Sequence, residues 1–170
     1  MIKEKWIYLD DVRTPVQDIE ASWEGSRPAK IEWIVVRNYH EFVDKILEIG
    51  LDSIDGISFD HDLGPLAMDE YFKNVRTNYR LNYDNIDELT GYHACKWLVE
   101  HYYEKNPKRL RMERMEKKTE PFSFPKLTVH SANPIGAANI MGYLNNFLKN
   151  EAQRDSCIRH FWPLDSESEF

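Results

Sequence analysis

The chain has 170 residues, of which 42% are hydrophobic and 13% aromatic, and its formal net charge at pH 7 is −7. This length is typical of a single globular domain, and the hydrophobic content is too high for a disordered chain. The acidic balance argues against broad, sequence-independent DNA binding, because such binding rests on many lysine and arginine contacts. It does not exclude a small nucleotide, for which a local cluster of donors or a metal ion is sufficient.

Membrane insertion and disulfide bonding are not indicated by the sequence. No apolar run approaches the roughly 20 residues that a membrane helix needs, and the N-terminus MIKEKW lacks the apolar stretch of a secretory signal. We therefore expect a cytoplasmic protein with no membrane partner. Cys95 and Cys157 are far apart and form no CxxC pair, so both are expected to be reduced, with Cys95 in the core.

The first part of the chain reads as strand, strand and helix. Trp6–Leu9 is a short apolar run that stops at Asp10 and Asp11, which predicts a strand that ends in an acidic loop. Ile31–Val36 is rich in β-branched residues and predicts a second strand. The segment after it has the apolar spacing of an amphipathic helix, and Gly50 is placed to end that helix.

The alternation continues in the second part of the chain. Ile54–Leu63 predicts a third strand, and Thr90 is a plausible N-cap for the helix that follows. Residues 126–134 predict a fourth strand, followed by a helix that starts near Pro134. A last short apolar stretch, Ile158–Leu164, fits an edge strand.

This pattern predicts an α/β fold, a three-layer sandwich in which a parallel sheet carries helices on both faces. A strand order of 2-1-3-4 would make strands one, three and four neighbours. We expect one domain over residues 1–170, with a frayed tail at residues 165–170.

Two segments do not fit the repeat. Residues 65–89 separate the third strand from its helix by far more than the usual connection and are predicted to form a long inserted loop, a common position for a lid. Residues 105–118 are strongly basic and are interpreted as a solvated charged face, with RNA contact left open. The inserted loop carries aromatic residues that could stack on a base or anchor the loop, the second role being favoured: Tyr71, Phe72, Tyr79 and Tyr83.

Polar residues follow three of the four predicted strands. They are Asp10 and Asp11, then Asp60, His61 and Asp62, then His130, Ser131 and Asn133. A lone Asp after a strand usually caps a helix or forms a turn, and a lone His in a strand is usually a core residue. Open parallel sheets bind ligands at the carboxyl ends of their strands, so the convergence of three such strand ends predicts a functional site.

Local geometry adds two expectations about this site. Consecutive strand residues face opposite sides, so Asp60 and Asp62 would share one side and His61 the other, unless the strand has ended by then. At the start of the last helix, the residues around Pro134 and Gly136 leave backbone N–H groups for an anion. Ser131 or Asn133 could instead cap that helix.

With these residues in view, the chain resembles the receiver domain of bacterial response regulators. The acidic pair Asp10 and Asp11, Asp60 at the end of the third strand and Ser131 after the fourth carry the resemblance. In receivers these positions hold a metal, accept a phosphoryl group and contact it. The resemblance implies a flavodoxin-like fold.

A closer resemblance is to the cyclic-phosphate-processing receiver-like domains. It rests on four motifs that follow one another in the same order: LDDVRTP at residues 9–15, FDHDLG at 59–64, TGYHACKWL at 90–98 and HSANPIG at 130–136. The resemblance implies a protein that acts on, or recognises, the cyclic phosphate of a nucleotide or of an RNA end.

The chain departs from ordinary receivers in ways that bear on chemistry. Receivers have a lysine at the end of a fifth strand, whereas the corresponding stretch here reads HFWPL. Signalling through an aspartyl phosphate is therefore not expected. His61 and His130 are foreign to receivers and suit proton transfer, since imidazole titrates near neutral pH. The inserted segment is also longer than expected for the closer family.

The resemblance thus implies an enzyme, or a binder derived from one, that acts on a cyclic phosphate. As a phosphoester hydrolase, a cyclic phosphodiesterase, it would use His61 and His130 as general acid and base. Asp60 or Asp62 could orient a histidine, and the carboxylates Asp10, Asp11 and Asp60 could hold Mg²⁺ or another divalent ion. Arg13 is either a bidentate phosphate contact or a surface salt bridge. The further predicted ligand contacts are Thr90, Ser131, Asn133 and Gly136. The alternative is a receiver-like module that binds a nucleotide signal or a protein without turnover.

Overall fold

A computed structural model describes residues 3–15, 31–106 and 124–150, and the backbone of 159–160. The strands are β1 (Glu4–Leu9), β2 (Ile31–Val36), β3 (Gly56–Phe59), β4 (Lys126–Val129) and β5 (Arg159–His160). They form one sheet in the order β2-β1-β3-β4-β5, and every pair of neighbouring strands is parallel. The predicted order 2-1-3-4 is confirmed, and β5 lies at the predicted edge, within residues 158–164.

Helices follow the strands as the alternation predicts. They are α1 (Tyr39–Ile49), α2 (Pro65–Glu70), α3 (Gly91–Lys105) and α4 (Pro134–Asn150). Asn38 caps α1, and the helix ends at Gly50, whose φ of 83° is the left-handed conformation expected of a glycine in that position. The α/β fold with a parallel, flavodoxin-like sheet is therefore confirmed.

The hydrophobic core lies between one face of the sheet and three helices. Alternate residues of the strands supply the sheet side, including Ile7, Leu9, Ile57, Phe59, Leu127 and Val129. Phe42 of α1, Leu98 of α3 and Leu144 of α4 pack against them and are fully buried. The helices α1, α3 and α4 pack on this one face, and helices on the second face stay a prediction.

The second face of the sheet differs in character, because in β1, β3 and β4 the other half of the strand alternation is largely aromatic or polar. Trp6 and Tyr8 of β1 and Ser58 of β3 are buried there, and so is Thr128 of β4. The hydroxyl oxygen of Thr128 has no hydrogen-bond partner among the described residues. This polar strip leads directly to the carboxyl ends of the strands.

Residues 65–89 differ from the inserted loop that the sequence predicted. Helix α2 passes into a π-helical turn at Tyr71–Val75 and a last α-helical turn at Arg76–Asn78, and a 3₁₀ turn follows at Tyr83–Asn85. The local signals were present, since Pro65 stands at the start of the helix and good helix formers follow it.

The inserted segment folds around the buried carboxylate of Glu70. One oxygen of Glu70 accepts the backbone N–H of Asn82 at 3.1 Å, and the other accepts the amide groups of Asn74 and Asn85, each at 2.9 Å. These hydrogen bonds lower the pKa of Glu70, although burial acts in the opposite direction and is the largest single effect. The segment is thus a folded unit with its own polar centre.

The described residues test only some of the remaining predictions about the chain. Cys95 is free and buried as expected, and burial raises the pKa of its thiol. Cys157, the tail at 165–170 and the basic segment beyond residue 106 lie outside the described ranges. Within those ranges, no helix is both long enough and apolar enough to cross a membrane.

Candidate active site

Three strand ends deliver polar side chains to one edge of the sheet. Asp10, Asp60 and His130 each extend a strand by one residue, because each donates its backbone N–H to the neighbouring strand, over 3.1, 2.8 and 2.9 Å respectively. The alternation of side chains therefore continues through them and turns all three toward the face that carries Ser58 and Thr128. All three are buried.

Asp10 is the most heavily bonded member of this group. Its carboxylate accepts the backbone N–H groups of Val12 and Arg13, the Nε–H of Arg13 at 2.8 Å, and the Nε2 atom of His130 lies 3.2 Å away. Burial acts to raise the pKa of Asp10, but the bond to His130 and the charge of Arg13 outweigh it and lower the pKa to about 2. Asp10 is a carboxylate at neutral pH.

In the other two carboxyl groups, those of Asp60 and Asp11, the contacts that favour the charged form do not outweigh burial. Asp60 accepts the backbone N–H of His61 at 2.7 Å and contacts Arg13 Nη2 at 2.9 Å, yet burial still raises its pKa. Burial, followed by the charges of Asp60 and Asp10, raises the pKa of Asp11 to about 6. Burial is thus the largest effect that opposes ionisation of both carboxyl groups.

These residues fit a divalent cation. Asp10, Asp11 and Asp60 place one carboxylate oxygen each within 4.8 Å of one another. Carboxylate oxygens are the ligands that Mg²⁺ prefers, and a bound cation would offset the burial and the neighbouring charges that raise the pKa of Asp11. We call Asp10, Asp11 and Asp60 the carboxylate cluster.

Arg13 lies inside the carboxylate cluster rather than on an open surface. Its guanidinium bridges Asp10 and Asp60, so one cation is already present among the three acids. Arg37, at the end of β2, was not predicted from the sequence. Its Nη1 atom donates to the backbone oxygens of Asp10 and Arg13 at 3.0 and 2.7 Å and so holds the loop after β1 in place.

His130 lies beneath the carboxylate cluster, with no exposed surface. Its Nδ1 atom is 2.7 Å from the Ser58 hydroxyl, its Nε2 atom faces Asp10, and its ring stacks on Tyr8 with centroids 4.2 Å apart. Both ring nitrogens are thus engaged by the protein. The sequence predicts that His130 is a general acid or base. In the structure its ring is buried and its Nε2 atom contacts the Asp10 carboxylate, so an effect of His130 on a ligand would act through Asp10.

His61 forms a second group of residues, directly after Asp60 in the chain. Its ring is fully buried, with Nδ1 2.7 Å from Oδ1 of Asp62 and Nε2 3.1 Å from the hydroxyl of Tyr83. Strand β3 has ended at Phe59, so the strand alternation predicted for residues 60–62 does not hold through Asp62. Asp62 instead meets the imidazole of its neighbour.

The start of α4 closes this second group. Asn133 donates its amide to Asp62 at 3.2 Å and accepts the backbone N–H of Gly136 at 2.9 Å, and its own N–H reaches the Ser131 hydroxyl at 3.2 Å. The Gly136 N–H that the sequence offers to an anion is therefore used inside the protein. A Cβ atom at Gly136 would lie 2.2 Å from Cγ of His61, so this close approach requires glycine.

The start of α3 contacts the backbone of the same residues. Thr90 is the N-cap, as predicted, and forms a capping box with His93, whose Nδ1 atom accepts the Thr90 N–H at 3.1 Å. The Thr90 hydroxyl lies 3.1 Å from the same nitrogen. Gly91 donates its N–H to the backbone oxygen of His61 at 2.9 Å. The role that the structure shows for Thr90 is thus a helix cap.

Tyr83 and Asn139 complete the group around His61. The hydroxyl of Tyr83 accepts the side-chain amide of Asn139 at 3.1 Å, and the Tyr83 ring stacks on Tyr92 with centroids 5.4 Å apart. Of the aromatic residues noted in the inserted segment, Phe72 and Tyr79 are 50% and 73% exposed and do not anchor it. Asn139 had a sequence signal, since it lies one helical turn after Gly136.

The fold and the site define the class of protein. A parallel sheet of this order, with an acidic pair after β1 and a buried Asp at the end of β3, is the arrangement of a receiver-like domain.

The sequence model of the cyclic-phosphate processing receiver domain family matches residues 5–146, and the chain belongs to this family. No curated protein and no solved structure matches the chain.

Proposed function

We propose that this domain binds the cyclic phosphate of a nucleotide or of an RNA end and opens it by hydrolysis. Family membership supports the cyclic phosphate. The observation that supports hydrolysis is the 2.7 Å contact between His61 Nδ1 and Asp62, one residue from the carboxylate cluster. A carboxylate that accepts from one imidazole nitrogen leaves the other as a proton acceptor, as in catalytic triads.

The phosphate end of the ligand is assigned to the carboxylate cluster. Asp10, Asp11 and Asp60 would hold a divalent ion, which when bound neutralises phosphate charge and polarises a phosphoryl oxygen. Arg13 adds a guanidinium that suits phosphate geometry, and Arg37 keeps its backbone in place. Ser131 lies beside this cluster, since its hydrogen bond to Asp60 lowers the pKa of that carboxyl against the effect of burial.

Proton transfer is assigned to His61, and His130 takes a different role. The Asp62 carboxylate only accepts hydrogen bonds, so Nδ1 of His61 carries the proton and Nε2 is the basic atom. His130 donates to Asp10 from Nε2 while its Nδ1 atom faces Ser58. We interpret His130 as a positioning residue that fixes the orientation of the Asp10 carboxylate, a common arrangement behind metal ligands.

A second candidate is a module that binds the cyclic phosphate without converting it. The observation that favours it is burial: neither imidazole has exposed surface, and every ring nitrogen of the two histidines has a protein partner. In that case the same residues would stabilise a bound conformation and perform no chemistry.

Incubation with cyclic substrates distinguishes the two candidates. The protein with Mg²⁺ is mixed with adenosine 2′,3′-cyclic phosphate, with RNA that bears a cyclic end and with a cyclic dinucleotide, and products are followed by ³¹P NMR. Ring opening that is lost in His61→Ala supports the hydrolase. Binding with the ligand recovered unchanged supports the module.

Two controls accompany this experiment. His40→Ala removes an exposed imidazole from α1 and is expected to leave turnover unchanged. Incubation with acetyl phosphate tests the remaining receiver chemistry, and stable labelling of Asp60 would contradict both candidates.

A further inference from the structure

The imidazole of His61 cannot touch a ligand directly in this structure. Its ring has no exposed surface, and the nitrogen that is free to accept a proton, Nε2, faces the hydroxyl of Tyr83 at 3.1 Å. Tyr83 is partly exposed, whereas Asp62 on the far side of the ring is buried. Any proton that leaves or reaches Nε2 from a ligand therefore meets Tyr83 first.

Hydrogen-bond directions around Tyr83 are fixed by its neighbours. The amide nitrogen of Asn139 lies 3.1 Å from the Tyr83 oxygen and can only donate to it. In the neutral imidazole of His61, the Asp62 carboxylate takes the proton-bearing Nδ1 as its donor, which leaves Nε2 as an acceptor. The Tyr83 proton consequently points at Nε2, and the contacts form one directed chain from the tyrosine hydroxyl through His61 to Asp62.

The Tyr83 side chain is held in this position by contacts outside the chain of hydrogen bonds. Its ring stacks on Tyr92 at an interplanar angle of 28°. It also forms an edge-to-face contact with His93, with ring centroids 6.1 Å apart. Its backbone starts the 3₁₀ turn at Tyr83–Asn85, and both Asn85 within this turn and Asn82 just before it bond to Glu70. The inserted segment thus delivers one hydroxyl group to His61 in a defined orientation.

We propose that Tyr83 is a catalytic residue whose hydroxyl meets the ligand and relays a proton between the ligand side and His61. The inference rests on the proposed function and adds a group that neither the sequence motifs nor the family description includes. Burial raises the pKa of Tyr83 to about 12, which keeps the hydroxyl protonated and able to act as a donor at neutral pH.

The step balances as follows. A water oxygen bonds to phosphorus while one ester P–O bond of the ring breaks. The water gives a proton to the Tyr83 oxygen, and Tyr83 gives its own proton to Nε2 of His61, whose imidazolium pairs with Asp62. The imidazolium then returns that proton through the hydroxyl to the released ester oxygen, so the product is a phosphate monoester with one free alcohol.

The test removes the hydroxyl and keeps the ring. Tyr83→Phe retains the stacking surface on Tyr92, so its melting temperature is expected to stay close to that of the wild type. With adenosine 2′,3′-cyclic phosphate and Mg²⁺ as the probe, kcat is expected to fall about 100-fold or more, the size typical of a lost proton-transfer group, with KM little changed. Tyr71→Phe, in the same segment, is the matched control and is expected to behave as the wild type.

A double variant separates a relay from a structural effect. Because Tyr83 and His61 act in series, Tyr83→Phe combined with His61→Ala is expected to be no slower than the slower single variant. Multiplying effects would overturn the relay, and so would an active wild type whose Tyr83→Phe variant is equally active. A wild type that binds the probe without turnover, or ignores it, would instead refute the hydrolase itself and the relay with it.

Discussion

The ring of His61 fills the space that a side chain at position 136 would need, because a Cβ atom there would lie 2.2 Å from Cγ of the imidazole. Gly136→Ala is therefore expected to displace either the ring or the start of α4. Overpacking of this kind costs about 1–3 kcal/mol, and urea unfolding measures it directly. Turnover of a cyclic phosphate is expected to fall together with stability.

A matched glycine on the same helix controls for helix propensity. A Cβ atom at Gly142 would meet nothing within 4 Å. Gly142→Ala is therefore expected to stabilise the protein by roughly 0.5–1 kcal/mol, the usual gain for alanine in a helix. Equal effects of the two substitutions would show that the contact between Gly136 and His61 is not a tight one.

Asp11 tests the carboxylate cluster. Its pKa is raised to about 6 by burial and by Asp60 and Asp10, which means that its charge is unfavourable in the absence of a counterion. In EDTA at pH 7.5, Asp11→Asn is expected to raise the melting temperature. Addition of Mg²⁺ is expected to raise the melting temperature of the wild type but not that of the variant, since a ligand stabilises only the state that binds it.

The control for Asp11 is an exposed acid away from the site. Asp52→Asn is expected to respond to EDTA and Mg²⁺ as the wild type does. A Mg²⁺ response that persists unchanged in Asp11→Asn would exclude this cluster as the metal site.

The buried polar strip predicts opposite effects at two neighbouring hydroxyl groups. Ser58→Ala removes the 2.7 Å hydrogen bond to His130, and its expected cost is about 1–2 kcal/mol, because a buried ring nitrogen is left without its partner. Thr128→Val removes a hydroxyl that has no partner among the described residues, and it is expected to be neutral or stabilising. Denaturant midpoints of the two variants on either side of the wild type would confirm this assignment.

Glu70 predicts a pH dependence of stability. Its hydrogen bonds hold its pKa below the ordinary value of 4.5, so the folded state favours the charged form. That stability is present above pH 4.5 and is lost as the pH falls through the lower, folded-state pKa. Glu70→Gln is expected to cost about 1–3 kcal/mol at neutral pH, since its amide opposes the donors of Asn74 and Asn85.

Unfolding curves between pH 7 and pH 3 measure this effect. The difference in the free energy of unfolding between Glu70→Gln and the wild type is expected to become smaller as the solution becomes acidic. Asp69→Asn, an exposed neighbour, is expected to show little difference at any pH. A difference in the free energy of unfolding that is constant with pH would mean that the charge of Glu70 does not contribute to stability.

The elements of the sheet were predictable because their signals are local. Ile31–Val36 was predicted with the bounds that the structure shows, and Gly50 and Thr90 were placed correctly at the ends of helices. The alternation predicted a parallel sheet, since parallel strands need crossover connections, whereas the order 2-1-3-4 was one of the orders that such an alternation allows. The strand-end residues could be grouped for the same reason.

The partners of those residues could not be read from the sequence. The contact of His130 with Ser58 joins positions 72 residues apart, and that of His61 with Tyr83 joins positions 22 apart across the inserted segment. No periodicity encodes such pairings. The sequence therefore placed both histidines near the strand ends and predicted a proton-transfer role for each, whereas their burial and hydrogen bonds lead us to propose different roles.

The π-helical turn at Tyr71–Val75 absorbs one residue of the inserted segment without changing the register of the chain beyond it. Such a turn holds one residue more than an α-helical turn would. Deletion of a single residue there would convert it into an ordinary α-helical turn and leave Tyr83 in the same register relative to Glu70. Deletion of two residues exceeds what the turn can absorb and would rotate everything beyond it by about 100°, which would detach Tyr83 from His61 while leaving every side chain of the site chemically intact.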